Sequence, residues 1–324
     1  MSAVSVIIPV YNVAPFIERC ARSLFEQTFQ DVEYIFVDDA TPDNSMEILQ
    51  EILREYPDKN VSIITHSENK GLAATRKTGI NNAKGDYILM CDSDDYIEKE
   101  TIQLLYEKAL KENADIVVCD VYDEYDNYRA LRTDLVVDNR AENFRNMLVN
   151  KKTQGYLVNK LIRKHLFDNT EITVPQGMDY LEDWFVTLRL YYFANTIIKV
   201  NVPLYHYVKY NTNAITKNIG EKHFKNTITF YKTLREFLMA HLLFDEYYQQ
   251  ISILEMQAKT RLLWSVRDMT LRHKYSSIFT ESENLLWKKL KLSDKIMLCF
   301  SRHKTTLWMT SILRFIVILK QSRV

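Results

Sequence analysis

Three aspartates within four positions, Asp92, Asp94 and Asp95, follow a short apolar run that begins after Gly85 and is typical of a buried strand. Because side chains alternate along a strand, Asp92 and Asp94 can face the same point while Ser93 faces away. Two carboxylates held this close repel each other unless a proton or a cation lies between them, and oxygen ligands favour magnesium, manganese or calcium over zinc. The spacing therefore indicates a divalent-metal site, with a solvated acidic loop as the alternative.

Three kinds of ligand loop are excluded by the residues that they require. An EF-hand loop starting at Asp92 needs glycine at its sixth position and glutamate at its twelfth, where the chain has Ile97 and Gln103. No G-x-G-x-x-G follows the first strand, and neither Gly71 nor Gly79 precedes the lysine of a P-loop. A bound nucleotide is therefore expected to be held by a metal and side chains rather than by a glycine-rich loop.

A second acidic pair, Glu182-Asp183, opens the helical pattern Leu181–Phe193. Carboxylates in the first turn of a helix are favoured by the helix dipole, which would explain the pair on structural grounds alone. A carboxylate at this place could equally act as a general base. The residues themselves leave both interpretations open.

Apolar strands alternate with amphipathic helices through the first third of the chain, which predicts a mostly parallel sheet covered by helices on both faces. The predicted strands are Val4–Val10, Val32–Val37, Val61–Thr65, the run before Asp92, and Asp115–Cys119. The clustering of three of the six glycines before the acidic run also predicts close backbone approach there. The residues that follow strand ends are expected to meet at one edge of the sheet; they are Tyr11, Asp38, Asp39, Asp92, Asp94 and Asp95.

Composition excludes several classes of protein. The 324 residues include 42 basic and 42 acidic ones, so no net charge draws the chain to nucleic acid. Four cysteines without a C-x-x-C pair indicate free thiols in a reducing compartment. The first strand begins directly after Met1-Ser2-Ala3, and no apolar run is long enough to cross a bilayer, so a cytoplasmic location is expected.

The second half of the chain has a different pattern. Residues 123–139 are polar and tyrosine-rich, which predicts an exposed hairpin, and Lys222–Arg272 has helical spacing. The segment Glu281–Val324 carries nine basic residues against three acidic ones, interleaved with aromatic and aliphatic side chains. Such a helix can lie on an anionic membrane surface, here the inner face of the cell membrane, and packing against the domain is the alternative.

Four segments in order resemble the family-two glycosyltransferases of GT-A fold. They are Val4–Asn12, Val37–Ser45, Asn69–Arg76 and Gly85–Asp95, and a weaker match continues through Asn159–Leu161, Glu182-Asp183 and Tyr205–Thr216. The resemblance implies a GT-A α/β fold with a catalytic domain over residues 1–219, divided into a nucleotide-sugar-binding half (1–121) and an acceptor half (122–219). Residues 220–324 would form a helical C-terminal region.

The resemblance also implies a nucleotide-sugar donor, with a UDP-sugar favoured, and Mg²⁺ or Mn²⁺ as the cofactor. Asp94 would be the principal metal ligand, and Asp92 would approach the ribose or the metal. Asp183 would be the general base, with Glu182 as the second candidate. Arg76 would contact the nucleotide or shape its pocket.

The remaining donor contacts follow from the same resemblance. Tyr11 would lie against the base and Asp39 would hydrogen-bond its polar edge, while Pro9 and Ser93 complete the substrate-binding set. The chain departs from the commoner family pattern at Ala40-Thr41-Pro42, at Lys77 and at Ala214. These departures remove no proposed catalytic group, but they leave the identity of the donor open.

The chemistry required of such an enzyme accounts for these residue types. A leaving diphosphate accumulates negative charge and needs a cation, and an acceptor hydroxyl needs a base as it attacks. The resemblance implies an inverting, metal-dependent transferase, and together with the basic C-terminal segment it favours a surface glycan or a lipid-linked acceptor. The alternatives are a non-catalytic nucleotide-sugar-binding protein, a nucleotidyltransferase on a related sheet, and a two-carboxylate hydrolase.

Overall fold

The computed structural model describes residues 2–149, 152–211, 219–303 and 305–314. The chain divides into two compact units, Met1–Asn213 and Ala214–Val324. The predicted domain boundaries at residues 121 and 219 stay predictions.

The first unit is built on a sheet whose described part has nine strands. The strands are β1 (Val4–Val10), β2 (Val32–Asp38), β3 (Asn60–Thr65), β4 (Tyr87–Met90), β5 (Tyr96–Ile97), β6 (Ile116–Glu124), β7 (Arg129–Arg132), β8 (Lys160–Arg163) and β9 (Ile197–Val208). Their order is β3-β2-β1-β4-β8-β6-β9-β5, with β7 beside β6. The β3-β2-β1-β4 half is parallel, as predicted, whereas β8 runs antiparallel to both β4 and β6 and makes the other half mixed.

Helices cover both faces of the parallel half. The helices of this unit are α1 (Ile17–Phe25), α2 (Ser45–Glu55), α3 (Leu72–Asn82), α4 (Thr101–Lys111), α5 (Arg140–Val149) and α6 (Glu182–Phe193). Val6 and Ile8 of β1 join the core formed with α1, α2 and α4. Ile7 faces the other side, where it contacts Gly79 of α3. Because alternate residues of β1 are buried on opposite faces, six of its seven residues are apolar, and Ser5 is the exception.

Strand β3 departs from the prediction that every strand is buried on both faces. None of its six residues is buried, and Ile63 is 38% exposed. The apolar run at 61–65 gave no sign of this, because an edge strand pairs on one side only and its position in the sheet depends on the other strands.

The backbone approaches other groups closely at two of the clustered glycines, as predicted. The groups that approach them belong to strand β1 of the protein itself. A side chain at Gly79 would meet Ile7, and one at Gly85 would meet the backbone and hydroxyl of Ser5. These two glycines therefore hold α3 and the start of β4 tightly against β1.

The second unit is helical in its described part, as the spacing predicts. Its helices are α7 (Glu221–Ala240), α8 (Phe244–Ser265), α9 (Met269–Tyr275), α10 (Thr280–Leu286) and α11 (Leu292–Arg302). Buried Glu283 accepts hydrogen bonds from Lys259 Nζ at 2.7 Å and Arg302 Nη2 at 2.6 Å, which ties α10 to α8 and α11.

The membrane prediction rests partly on residues for which no structure is given. Within the described ranges, no helix has the length and apolar character needed to cross a bilayer. Residues 304 and 315–324 of the basic C-terminal segment lie outside the described residues, as does Ala214.

The turn after β2 contains a residue in a conformation that favours glycine. Ala40 has a φ of 54°, and the backbone N–H of Thr41 donates to Asp38 Oδ1 at 2.8 Å across the turn. Ala40 is the first residue of Ala40-Thr41-Pro42, one of the places where the chain departs from the commoner family pattern. A glycine would adopt this left-handed backbone without the steric cost that an alanine bears.

We expect Ala40→Gly to stabilise the protein. The left-handed backbone costs an alanine about 1–2 kcal/mol, and the greater freedom of glycine in the unfolded chain offsets about 0.4–1 kcal/mol of this, so a net gain of up to about 1.5 kcal/mol is expected. Thermal unfolding measures it. The matched control is Ala83→Gly, where the alanine is buried with an ordinary φ of −67°, and it should lower stability. A lower melting temperature for Ala40→Gly would contradict the assignment of strain.

Candidate active site

The carboxyl ends of β1, β2 and β4 meet at one edge of the sheet, and backbone hydrogen bonds continue past the strand ends. The N–H of Asp39 donates to Val10 O at 3.0 Å, and Ser93 Oγ donates to Pro9 O at 2.6 Å. Tyr11, at the tip of β1, is 47% exposed. The structure therefore brings together the strand-end residues that the sequence places at one edge.

Asp39 is buried and is held by the segment that precedes α3. Its carboxylate accepts from His66 Nδ1 at 2.7 Å, from the N–H of Lys70 at 2.8 Å and from the N–H of Gly71 at 2.9 Å. A carboxylate offers about four acceptor positions, so these three contacts leave room for one more donor.

A second carboxylate, from a distant part of the chain, holds the first turn of α3. Asp179 Oδ1 accepts from the N–H of Ala73 at 3.2 Å. Gly71 has a φ of 89°, and a Cβ at this position would lie 2.5 Å from the carboxylate oxygens of Asp179. Only glycine therefore fits here, and the start of α3 is fixed by Asp39 on one side and Asp179 on the other.

Arg76 of α3 is the centre of the acidic site. Its side chain is 4% exposed, and Nη2 donates to Asp92 Oδ1 at 2.8 Å. Nη1 donates to Glu182 Oε1 at 3.0 Å and also to Asp183 Oδ1. Burial alone would lower the pKa of Arg76, but the charges of Asp183, Asp92 and Glu182 raise it above its ordinary value. One guanidinium thus joins the strand-end aspartate to the acidic pair of α6.

The acidic pair lies in the first turn of α6, as predicted, and both carboxylates face Arg76. Leu181, which precedes the pair, has a φ of 70°, and this left-handed backbone sets the direction in which α6 begins. Burial, followed by the charge of Asp183, raises the pKa of Glu182. Burial and the charge of Asp92 raise the pKa of Asp183, against the opposing effect of Arg76. A favourable position in the helix dipole therefore does not account for all the interactions of the pair.

A glycine also positions the residue that follows Asp183. A Cβ at Gly155 would lie 1.5 Å from Trp184 Cδ1, so the indole ring occupies the space that any side chain at 155 would need. The segment around Gly155 is further joined to α6 by Thr187 Oγ1, which donates to Gly155 O at 3.0 Å.

The three aspartates after β4 have different environments. Asp94 accepts from Asn211 Nδ2 at 2.8 Å, and burial together with the charge of Asp92 raises the pKa of Asp94. Asp95 is fully buried and accepts from Tyr205 Oη at 2.6 Å and from the N–H of Val208 at 2.7 Å. Asp95 therefore joins this loop to β9, which leaves Asp92 and Asp94 as the carboxylates available to a ligand.

The described residues contain no cluster of three or more His, Cys, Asp or Glu side chains that could hold a metal ion. Two neighbouring carboxylates remain, Asp92 and Asp94. Their oxygen atoms and mutual repulsion suit a divalent cation that takes its other ligands from water and a substrate.

Sequence reasoning missed two side chains that contact the Asp94 loop. Arg19 Nη2 donates to the backbone O of Asp94 at 3.1 Å, while Nη1 donates to Tyr210 Oη at 2.5 Å. Asn211 contacts the Asp94 carboxylate, as described above. The only available signal was that Tyr210 and Asn211 lie in the last, weakly matching segment of the family pattern.

Comparison with known sequences assigns the family. Residues 5–169 match Glycosyl transferase family 2. The chain belongs to this family. It is similar to EpsH of Bacillus subtilis (strain 168), with 31% identity over 255 residues that cover 77% of this chain and 73% of EpsH. It is also similar to the poly(ribitol-phosphate) beta-glucosyltransferase of Bacillus spizizenii, with 32% identity over 211 residues that cover 64% of this chain and 32% of that protein.

Solved structures share the fold of this glycosyltransferase. The S. aureus TarS fragment 1–349 in complex with UDP-GlcNAc matches with a TM-score of 0.62 and 19% identity, covering 97% of this chain and 90% of that one. The mannosyltransferase PcManGT from Pyrobaculum calidifontis, in complex with GDP-Man and Mn²⁺, matches with a TM-score of 0.51 and 14% identity, covering 97% and 85%. The predicted GT-A α/β fold with a helical C-terminal region is confirmed.

We expect the raised pKa of Asp183 to make the unliganded protein less stable as the pH rises. A carboxyl group whose pKa is raised by folding binds its proton more tightly in the folded state. The fold is then most stable below the ordinary carboxyl pKa and loses that stability as the pH rises through the raised value. Asp183→Asn removes one such group, so it should raise the melting temperature at pH 8 by about 2–4 °C and change it less at pH 5.

Thermal unfolding in a chelating buffer between pH 5 and pH 8 measures this effect. Asp86→Asn is the matched control, because Asp86 is an exposed aspartate directly after Gly85 and lies outside the acidic site. It should leave the pH profile unchanged. A lower melting temperature for Asp183→Asn at pH 8 would show that Arg76 stabilises the Asp183 carboxylate more than burial destabilises it.

Proposed function

We propose that this glycosyltransferase transfers a sugar, with inversion, from a nucleoside diphosphate sugar to an acceptor hydroxyl, with UDP-sugars as the favoured donors. The observation that carries the proposal is the Arg76 contact described above. It joins a strand-end carboxylate suited to the donor and a partly exposed carboxylate suited to the acceptor to the same guanidinium.

The metal site would consist of Asp94 and Asp92. Mg²⁺ and Mn²⁺ suit a site with few protein ligands, because Mg²⁺ usually keeps several waters and binds through one or two carboxylates together with substrate phosphates. When bound, the cation would neutralise the charge of the leaving diphosphate. The Mn²⁺ complex of the structurally similar PcManGT supports this assignment.

Asp183 is the proposed general base. Its side chain is 24% exposed, compared with 8% for Glu182, so an acceptor hydroxyl reaches Asp183 more easily. A raised pKa also makes Asp183 a better proton acceptor than an ordinary aspartate, and such a base contributes about 10²–10⁴-fold to the rate. Attack from the side opposite the diphosphate inverts the anomeric carbon.

The nucleotide would lie over the tips of β1 and β2. The exposed ring of Tyr11 offers a surface for a base, and the fourth acceptor position of Asp39 could take an N–H of that base. Ser93 is already bonded to Pro9, so both residues would shape this surface through the backbone. The UDP-GlcNAc complex of TarS supports a uridine nucleotide.

The acceptor is proposed to be a surface polysaccharide or a lipid-linked glycan. The similarity to a poly(ribitol-phosphate) beta-glucosyltransferase supports this class. A cytoplasmic location and contact of the C-terminal segment with a membrane surface stay predictions.

A nucleotide screen tests the donor. We expect UDP with Mn²⁺ to raise the melting temperature more than GDP, CDP or ADP with Mn²⁺, because a ligand that binds the folded state stabilises it by mass action. Chelation of the metal should remove most of the increase. A larger increase with GDP than with UDP would reject the uridine assignment and leave the transferase proposal in place.

Two conservative substitutions separate metal binding from base catalysis. Asp94→Asn should abolish Mn²⁺-dependent binding of UDP. Asp183→Asn should preserve that binding, because Asp92 and Asp94 are intact, and should lower turnover about 10²–10⁴-fold. Calorimetric titration with UDP and Mn²⁺ measures binding, and release of UDP from the best UDP-sugar measures turnover.

Glu182→Gln is the matched control, since it changes the neighbouring carboxylate on the same guanidinium. It should reduce turnover less than Asp183→Asn does. Turnover of Asp183→Asn at the parental rate would reject Asp183 as the base, and equal losses in both variants would indicate that the pair acts as a unit.

A further inference from the structure

A small cavity of about 210 Å³ lies at the tip of the β6–β7 hairpin, in the exposed hairpin that the sequence predicts. One wall is formed by the hairpin between β6 and β7, and the opposite wall by the residues that follow β9. Its lining residues are Tyr125, Asp126, Asn127, Tyr128, Lys209 and Tyr210. None of them belongs to the proposed donor or base machinery.

The aromatic wall of the cavity is ordered by the hairpin. The rings of Tyr125 and Tyr128 stack with centroids 4.5 Å apart and an interplanar angle of 11°. The N–H of Tyr125 donates to Tyr128 O at 2.9 Å, which closes the turn and holds the two rings face to face. Tyr128 is nevertheless 62% exposed and Tyr125 37%, so most of the surface of Tyr128 remains open to the solvent.

The opposite wall is fixed to the sheet. The N–H of Lys209 donates to Glu124 O at 2.8 Å, so the residue after β9 continues beside the end of β6. Lys209 Nζ lies 3.3 Å from Asp123 Oδ1 and 4.0 Å from the centroid of the Tyr207 ring. These contacts hold the chain that leads to Tyr210 against the hairpin.

Tyr210 connects the cavity to the proposed metal ligand. Its hydroxyl accepts from Arg19, and the same guanidinium donates to the backbone O of Asp94. The next residue, Asn211, contacts the Asp94 carboxylate. A residue that lines the cavity is therefore joined to the Asp94 loop through a single guanidinium.

Size and lining together indicate the class of ligand. The cavity is smaller than the pockets of about 300–1,000 Å³ that hold drug-sized ligands, so it suits one sugar ring better than a nucleotide. The C–H face of a pyranose is apolar and packs on the face of an aromatic ring, while its hydroxyls need polar partners at the edge. Here Asp126 and Asn127 provide a carboxylate and an amide beside the tyrosines.

We propose that this cavity is an acceptor subsite that binds a sugar unit of a glycan chain next to the unit that is being modified. The inference rests on the proposed function, because only a transferase that extends a glycan would place such a subsite beside its metal ligands. The acceptor is then an oligosaccharide of at least two units rather than a single sugar.

Binding of the full chain to a printed array of bacterial and synthetic oligosaccharides, without nucleotide or metal, tests the subsite. Tyr128→Ala should weaken binding of the best oligosaccharide about threefold to tenfold, the range expected for loss of one aromatic contact, whereas Tyr128→Phe keeps the ring and should bind like the parent. Leu131→Ala, at a 57% exposed position on the same hairpin, is the matched control and should have no effect.

Two results would overturn the subsite: no oligosaccharide on the array binds the parent protein, or Tyr128→Ala binds as well as Leu131→Ala. Titration of the same variants with UDP and Mn²⁺ separates this failure from failure of the proposed function. Loss of oligosaccharide binding with retained UDP binding rejects the subsite alone. Retained, Tyr128-dependent oligosaccharide binding without any Mn²⁺-dependent UDP binding rejects the donor assignment and leaves the subsite in place.

Discussion

The contact between one buried guanidinium and three carboxylates is the constraint on which the site depends. Arg76 carries a single positive charge, while Asp92, Glu182 and Asp183 together can carry three negative ones. Buried groups of this kind are stable only when each has a partner, so removal of the arginine would leave uncompensated charge in the interior. The same contact brings together a strand end and a helix start that are about 90 residues apart in the sequence.

The sheet makes this contact possible because it fixes the positions of the parts that carry the charges. Parallel pairing of β1 with β2 and β4 brings their carboxyl ends to one edge, and α3 packs on the β1 face where Gly79 lets it approach Ile7. Asp39 and Asp179 then fix the first turn of α3, so the position of Arg76 is determined from both ends of the unit. Function here follows from rigid elements that place side chains, as a preorganised site requires.

Local patterns predicted the parts of the site that depend on strand periodicity. Asp39, Asp92 and Asp94 follow apolar runs. Because the carboxyl ends of parallel strands lie at the same edge of a sheet, the sequence predicted that these residues would meet. The structural role of Asp95 could not be predicted in this way, because its hydrogen-bond partners, Tyr205 and the N–H of Val208, lie more than 100 residues away in the sequence. Arg19 and Asn211 were missed for the same reason: each looks like an ordinary polar residue until the folded chain brings it to Asp94.

The way in which α3 begins has a consequence for exchanging parts between members of the family. A hybrid enzyme that took residues 1–121 from one relative and the remainder from another would combine a Gly71 turn with a foreign loop in place of the one that carries Asp179. The two segments are far apart in the chain but are in direct contact, so we expect a working hybrid to need both segments from the same parent. Under the proposed function, donor preference is therefore transferable only with part of the segment that also carries the proposed base.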